Sequence, residues 1–149
     1  MGESKDKDDI NEMEDLLKAL ENEINSSILE LTNADIKTHK NNILQMAQIK
    51  GKKLKEYHKK LKNYRYVRGM HDLQFGYYIR WIPLKNPEKV NLTRGAHITG
   101  IEIANDDIMI QCKTTFNVFF NIKFGECIIF QKITDQERLI LKILDVINK

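Results

Sequence analysis

A chain of 149 residues has room for one ordinary domain, or for one small domain with an extended element, but not for two full cores. Apolar residues make up 42% and charged residues 30%, so a charge excess must lie on an exposed face. No stretch approaches the roughly eighteen uncharged apolar residues of a membrane span, and the start lacks the apolar segment of a signal peptide. We therefore predict an intracellular, cytoplasmic protein with no membrane partner.

The net charge of +3 hides a separation of sign along the chain. Residues 1 to 35 hold eleven acidic and three basic residues, whereas residues 36 to 69 hold eleven basic residues and the single acid Glu56. Such asymmetry between neighbouring segments indicates an electrostatic partner, which is either the other segment or an external molecule.

The first predicted helix follows a disordered acidic start at residues 1 to 7. Apolar residues then recur at alternating steps of three and four, which is the pattern of a heptad stripe. The stripe comprises Ile10, Met13, Leu17, Leu20, Ile24 and Leu31. We predict a helix over residues 8 to 31, with Leu17, Leu20 and Ile24 as interaction residues at its seam.

A second run with the same spacing is shifted in phase by two residues, so the two runs require a break between them. Thr32 or Asn33 can cap a new helix, and Asp35 is favourable in its first turn. We predict this second helix over residues 34 to 63, with a bend at Gly51.

The two helices form a predicted arm over residues 8 to 64, and two arrangements of it remain open. Charge complementarity favours an antiparallel hairpin, in which the acidic helix lies along the basic one. A coiled-coil rod would instead find its apolar partner in another copy, and an isolated hairpin also leaves a seam that seeks a partner. Either arrangement predicts self-association, or docking to another protein, through the arm.

The basic tract over residues 50 to 68 is the strongest functional signal, because its lysines and arginines are interleaved with tyrosines. Basic side chains release counterions from a phosphate backbone and tyrosines stack on exposed bases, so the tract predicts nucleic-acid binding. The candidate contacts are Lys52, Lys53, Lys55, Lys59, Lys60, Lys62, Arg65 and Arg68. The competing interpretation makes Leu54, Tyr57, Leu61 and Tyr64 a buried seam and the lysines its solvated face.

Beyond Gly69 the helical period gives way to runs rich in Ile, Val, Phe and Tyr, which are typical of strands. We predict five strands, at residues 76 to 84, 96 to 104, 108 to 113, 117 to 124 and 127 to 133. The fold class is therefore α+β, with residues 70 to 149 forming a small antiparallel β-barrel of the SH3-like or OB-like kind, or a strongly curled meander. A capping box at residues 134 to 137 predicts a C-terminal helix that closes the domain.

Catalytic and cofactor-binding motifs are absent from the sequence. The four histidines lack the spacing of metal ligands, and Cys112 and Cys127 belong to no Cys-x-x-Cys pair. Phosphate-binding glycine loops and nucleophile motifs are also missing. We predict a protein that is not an enzyme and has no metal site and no cofactor, with both cysteines as free buried thiols.

Three short segments carry a resemblance to a known group of proteins. They are Gly-Tyr-Tyr-Ile-Arg-Trp-Ile at residues 76 to 82, Leu-Thr-Arg-Gly at 92 to 95 and Ile-Phe-Gln-Lys at 129 to 132. Residues 74 to 148 resemble uncharacterised small β-domain proteins of large nucleocytoplasmic DNA viruses. The resemblance implies a viral structural or accessory protein, in the host cytoplasm or the virion, and gives no mechanism.

Within this module, Tyr78 and Trp81 are candidate interaction residues, because aromatic side chains line the ligand grooves of small barrels. The competing interpretation is a core tryptophan. The sequence as a whole predicts a non-enzymatic interaction or scaffolding protein that self-associates or docks through its arm. The alternative is a nucleic-acid-binding accessory protein that uses the basic tract.

Overall fold

The computed structural model describes residues 2–22, 25, 28–88 and 90–147, without the side chains of residues 2–10 and 21. The chain divides into two compact units. We call Met1–Asp35 with Ile133–Lys149 the helical unit, and Ile36–Lys132 the sheet unit.

The described helices and strands follow one another in this order along the chain: α1 (Gly2–Glu21), α2 (Asn33–Met46), α3 (Gly51–Lys60), β1 (Tyr64–Tyr66), β2 (Tyr78–Pro83), β3 (Ala96–Ala104), β4 (Asp107–Lys113), β5 (Phe119–Lys123), β6 (Cys127–Lys132) and α4 (Asp135–Ile147). Short 3₁₀ turns lie at Met70–Asp72 and Phe124–Glu126. The α+β class and the C-terminal helix are confirmed. The five predicted strands correspond to β2 through β6.

The sheet is antiparallel and open, with the strand order β1-β6-β2-β3-β4-β5. The predicted barrel is therefore wrong, because β1 and β5 are edges that do not pair with each other in the described chain. The sheet nevertheless curls, since the rings of Trp81 in β2 and Phe120 in β5 lie 5.4 Å apart although two strands separate them.

The two faces of β2 explain why the sheet stays open. Ile79 and Trp81 point into one apolar cluster, which β3, β4 and β6 complete. Ile82 points into a second cluster, in which α2 and α3 supply Leu44, Tyr57 and further apolar side chains. Because helices cover this second face, the sheet buries apolar area there without closing on itself.

Helices α2 and α3 are thus part of the core of the sheet unit and do not form a separate arm. Leu44, Tyr57 and Leu61 are each at most 5% exposed and pack with Ile82 and Phe130. The predicted boundary between residues 64 and 70 consequently falls inside a compact unit. Within the helical unit, α1 packs against α4.

The helix limits also differ from the prediction. The second helix is divided at residues 47–50, where Gln48 has a φ of 63° and Gly51 begins α3 with a φ of 62°. This confirms the bend at Gly51, since glycine adopts a positive φ without a steric penalty. α1 ends at Glu21, ten residues early, and includes residues 2–7. Acidic residues there are compatible with a helical start, because they favour its positive dipole end.

Two capping predictions are confirmed. Thr32 and Asp35 exchange reciprocal side-chain to backbone hydrogen bonds of 3.1 Å at the start of α2. Thr134 and Glu137 do the same at the start of α4, with distances of 3.2 and 3.0 Å. Each box satisfies backbone groups that a helix N-terminus would otherwise leave unpaired.

A buried ion pair fixes β1 and the segment that follows it. The guanidinium of Arg65 lies 3.3 Å from the carboxylate of Asp72, and their side chains are 2% and 1% exposed. Asp72 also accepts the backbone N–H of Arg68, and the Gln131 side chain donates to the Asp72 carbonyl oxygen at 2.8 Å. Gln131 in turn accepts the backbone N–H of Gln74. The network therefore joins β1 and the 3₁₀ turn at Met70–Asp72 to β6.

Removing one partner of this pair should destabilise the protein, because the other charge would stay buried without compensation. We expect Asp72→Ala to lower the free energy of unfolding by about 3 to 5 kcal/mol, measured by urea unfolding. The double variant Arg65→Met/Asp72→Ala should regain most of that loss. The control Glu56→Gln removes an exposed ion pair with Lys60 and should leave the unfolding midpoint unchanged. Equal midpoints for Asp72→Ala and Glu56→Gln would contradict a stabilising role for the buried pair.

Candidate nucleic-acid interface

Helix α3 has one apolar face, and that face is anchored in the core. Tyr57 and Leu61 are buried and Leu54 is half-buried, at the three and four residue spacing of one helix side. They pack against Ile82 and Phe130, in the second apolar cluster. Because the remaining positions of α3 are mostly lysines, this face supplies the apolar packing of the helix on the sheet.

Polar contacts fix α3 further at three points. The Tyr57 hydroxyl accepts the backbone N–H of Leu92 at 3.0 Å, and the Lys53 ammonium donates to the Val90 carbonyl oxygen at 2.7 Å. The Lys40 ammonium of α2 donates to the Leu61 carbonyl oxygen at 2.9 Å, just beyond the C-terminus of α3. Burial lowers the pKa of Lys40, and the nearby charge of Lys37 lowers it further. These contacts give α3 a fixed orientation.

The opposite side of α3 presents a stripe of exposed lysines. Lys52, Lys55 and Lys59 are exposed and follow the same three and four residue spacing, and Lys62 continues the stripe just after the helix. Within the described part of the chain none of these four side chains makes an ion pair. From Lys52 to Lys59 the stripe runs about 10 Å along the helix axis.

Two further candidate lysines are engaged within the chain. Lys60 forms a 2.8 Å ion pair with Glu56, four residues earlier on the same helix. Lys53 bonds to the carbonyl oxygen of Val90 and lies 5.6 Å from the centre of the Tyr57 ring. Both remain on the exposed side of α3, so they add to the positive potential around the stripe.

Arg65 must be removed from the predicted contacts. Its side chain is 2% exposed and lies against Asp72, so it cannot reach a phosphate on the surface. Arg68 is exposed, and only its backbone N–H is engaged with Asp72. The sequence did not distinguish the two arginines, because both occur in a continuous basic tract.

The tyrosines of the tract do not form a stacking platform. Tyr57 and Tyr64 are 5% and 9% exposed, and burial raises the pKa of Tyr64. Tyr66 is half-buried, with its ring 6.2 Å from that of Phe130. Tyr57 and Tyr64, as buried side chains, do not present their rings for stacking on bases. The buried seam of the competing interpretation is confirmed for Tyr57, Leu61 and Tyr64.

Tyr78 and Trp81 do not meet in one groove. Trp81 is 8% exposed and belongs to the first apolar cluster, as the core interpretation held. Tyr78 lies beside the second cluster and donates its hydroxyl proton to the Arg94 carbonyl oxygen at 2.9 Å. A shallow groove of about 300 Å³ borders Trp81 and Cys127, but Tyr78 does not line it.

The separation of charge along the chain becomes a separation between the two units. The sheet unit contains 18 basic and 7 acidic residues, a net charge of +11. The helical unit has a net charge of −8, because the near-neutral C-terminal segment joins the acidic start. The positive charge is therefore carried by a unit that is folded around its own core.

The helical unit leaves part of the apolar stripe of α1 exposed. Met13, Leu17 and Leu20 are 60%, 52% and 45% exposed, whereas Ala19 on another side of the helix is fully buried. Leu16 and Leu139 help to line a groove of about 280 Å³ between α1 and α4. The third predicted seam residue, Ile24, lies outside the described residues.

The cysteines are not poised as nucleophiles. Both are free, with Cys112 buried and Cys127 half-buried, and burial raises the pKa of each thiol to about 11. Among the described residues, no three His, Cys, Asp or Glu side chains lie together in a group that could hold a metal ion. None of the described helices is both long enough and apolar enough to cross a membrane.

Comparison of the chain with protein-family models, curated proteins and solved structures gives no match. The resemblance to β-domain proteins of large DNA viruses accordingly stays a prediction from residues 74 to 148.

Proposed function

We propose that this protein binds nucleic acid through the phosphate backbone, with the exposed lysine face of α3 as the contact surface. The observation that carries the proposal is the stripe formed by Lys52, Lys55, Lys59 and Lys62, which is exposed and makes no ion pair within the described chain. A row of like charges at this spacing is self-repulsive. Bound phosphates relieve that repulsion and release their condensed counterions.

The anchoring of α3 supports this proposal energetically. Tyr57 and Leu61 are held in the core, so binding does not have to order the helix backbone. Only the lysine side chains lose freedom, at a cost of roughly 0.5 to 1.5 kcal/mol for each one immobilised. A folded unit with a net charge of +11 also attracts a polyanion over distances beyond direct contact.

The chemistry of the surface favours binding without sequence preference. Lysine ammonium groups contact phosphates as point charges, and the tract's tyrosines, which could have stacked on bases, are turned inward. Duplexes of different sequence should therefore bind with similar affinity and with a steep dependence on salt.

The first experiment measures the slope of log K against log salt concentration for a mixed-sequence duplex. Each phosphate neutralised contributes about −0.9 to that slope, so Lys52→Gln/Lys55→Gln/Lys59→Gln should make it shallower by about 2 to 3. At 150 mM salt the same three changes should weaken binding roughly 100-fold.

The matched control is a second triple variant with an equal change in charge. Lys85→Gln/Lys113→Gln/Lys123→Gln alters lysines that lie outside α3 and the residues it contacts. It should shift the slope by less than one unit. Equal effects of the two triple variants would disprove a localised site on α3, and absence of binding by the unaltered protein at 50 mM salt would disprove the function.

Docking of another protein on α1 is a second candidate function, favoured by the exposure of Met13, Leu17 and Leu20. Amphipathic helices bind in apolar grooves between helices, and the net charge of −8 on this unit selects a partner with basic flanks. A second copy of the same acidic surface would be repelled, so we assign the surface to a basic amphipathic helix of another protein.

A designed peptide with a leucine stripe flanked by lysines tests this second candidate by fluorescence anisotropy. We expect Leu17→Asp/Leu20→Asp to weaken its binding at least tenfold while helical content and thermal midpoint stay unchanged, because both side chains are exposed. Ala19→Asp, which buries a charge, should instead lower the thermal midpoint. Binding that is unchanged in the double leucine variant, or equally tight to a peptide with glutamates for lysines, would refute the assignment.

A further inference from the structure

Strand β5 is an edge of the sheet that carries exposed apolar side chains. It pairs with β4 over Phe119 to Lys123 in a continuous register without a bulge, and its other side has no strand in the described chain. Phe119 is 68% exposed, and Phe116 and Val118 in the preceding turn are 84% and 57% exposed. Proteins usually protect such an edge with a proline, a bulge or a covering element.

The hydrogen-bond pattern identifies which residues of β5 face outward. The Thr114 N–H bonds to the Val118 carbonyl oxygen at 2.9 Å next to the paired strands. Hydrogen-bonded and non-hydrogen-bonded pairs alternate in an antiparallel ladder. Counting from this bond, Phe120 and Ile122 bond to β4, while the N–H and C=O groups of Phe119, Asn121 and Lys123 point to the free edge.

These three outward residues are self-complementary about Asn121. In an antiparallel pair of two β5 strands with Asn121 opposite its own copy, Phe119 of one strand lies opposite Lys123 of the other. Every outward backbone group then has a partner, and Phe120 lies opposite Ile122 on the inner side of the sheet. The same kind of lysine and phenylalanine contact already occurs within one chain, where the Lys113 ammonium lies 5.7 Å from the centre of the Phe119 ring.

The charges around β5 permit two copies to approach. Lys123 is balanced by Glu126 at 4.0 Å, and the same symmetric register separates Lys123 from its own copy. The lysine stripe of α3 lies on the helix that covers β2 and β6, whereas β5 is the edge beyond β3 and β4. The same register places the exposed Phe116 and Val118 beside the copy's 3₁₀ turn at Phe124–Glu126.

We propose that β5 is a self-association site, at which two copies of this chain join edge to edge as antiparallel strands centred on Asn121. An extended segment of another protein could use the same backbone groups, but the symmetry of Phe119, Asn121 and Lys123 fits a second copy. A five-residue strand is only about 17 Å long, so the dimer should be weak and form at micromolar concentrations or above.

Cysteine cross-linking in the full chain tests the register. Opposed residues in a hydrogen-bonded pair have Cα atoms about 5.5 Å apart, within the range of a disulfide. Asn121→Cys should therefore form a disulfide-linked dimer under mild oxidation. Phe119→Cys and Lys123→Cys should each cross-link slowly alone and at least tenfold faster when the two variants are mixed.

The native cysteines and an exposed position on α2 provide the controls. Cys112 and Cys127 have a thiol pKa of about 11, so little of either is thiolate at pH 7.5 and the unaltered protein should not cross-link. Asn42→Cys, at an exposed position of α2 far from β5 in the sheet unit, reports random collision. Sedimentation of the protein with its native cysteines gives a second measurement, in which Asn121→Pro should abolish the dimer because proline lacks the outward N–H.

Two results would overturn the proposal. One is cross-linking of Asn121→Cys no faster than that of Asn42→Cys. The other is sedimentation that shows only monomer at several hundred micromolar protein, or that shows the same amount of dimer in the Asn121→Pro variant. Faster cross-linking of Phe119→Cys alone than of its mixture with Lys123→Cys would also refute this register.

Discussion

Burial of one side of α3 against β2 and β6 is the constraint on which the architecture of the sheet unit depends. A ten-residue helix with five lysines would not persist alone in water, so its stability must come from packing. Tyr57 and Leu61 supply that packing with Ile82 and Phe130. The same contact covers the second face of the sheet, into which Ile82 points. Because this face is already covered, the sheet does not need to close into a barrel.

The chemistry of the surface follows from this packing. Once the apolar side of α3 faces inward, the helical period places Lys52, Lys55 and Lys59 outward at fixed positions. The Arg65 and Asp72 pair lies at the other end of the short connection from α3, where it fixes β1 against β6. One basic tract thus contains a structural arginine at β1 and four exposed lysines that make no ion pair within the described chain.

Much of this could be predicted from local pattern, and the failures have physical causes. Strands β2 to β6 were found because alternation along a strand is a local signal. β1 was missed because Tyr64 continues the helical spacing of Leu54, Tyr57 and Leu61. Only pairing with β6 makes residues 64 to 66 a strand. The burial of Arg65 and the open edge at β5 depend on contacts that are distant in sequence, which periodicity does not contain.

The site was predicted in part for the same reason. Helical spacing correctly placed Leu54, Tyr57 and Leu61 opposite the lysines, but it could not say whether the acidic helix or the sheet would cover them.

The most direct measurement of the central claim is the mapping of amide chemical shifts in the full chain during titration with a short mixed-sequence duplex. We expect the largest changes at residues 51–62, with little change in β4 and β5. Changes centred on another surface, or none at low salt, would contradict the account.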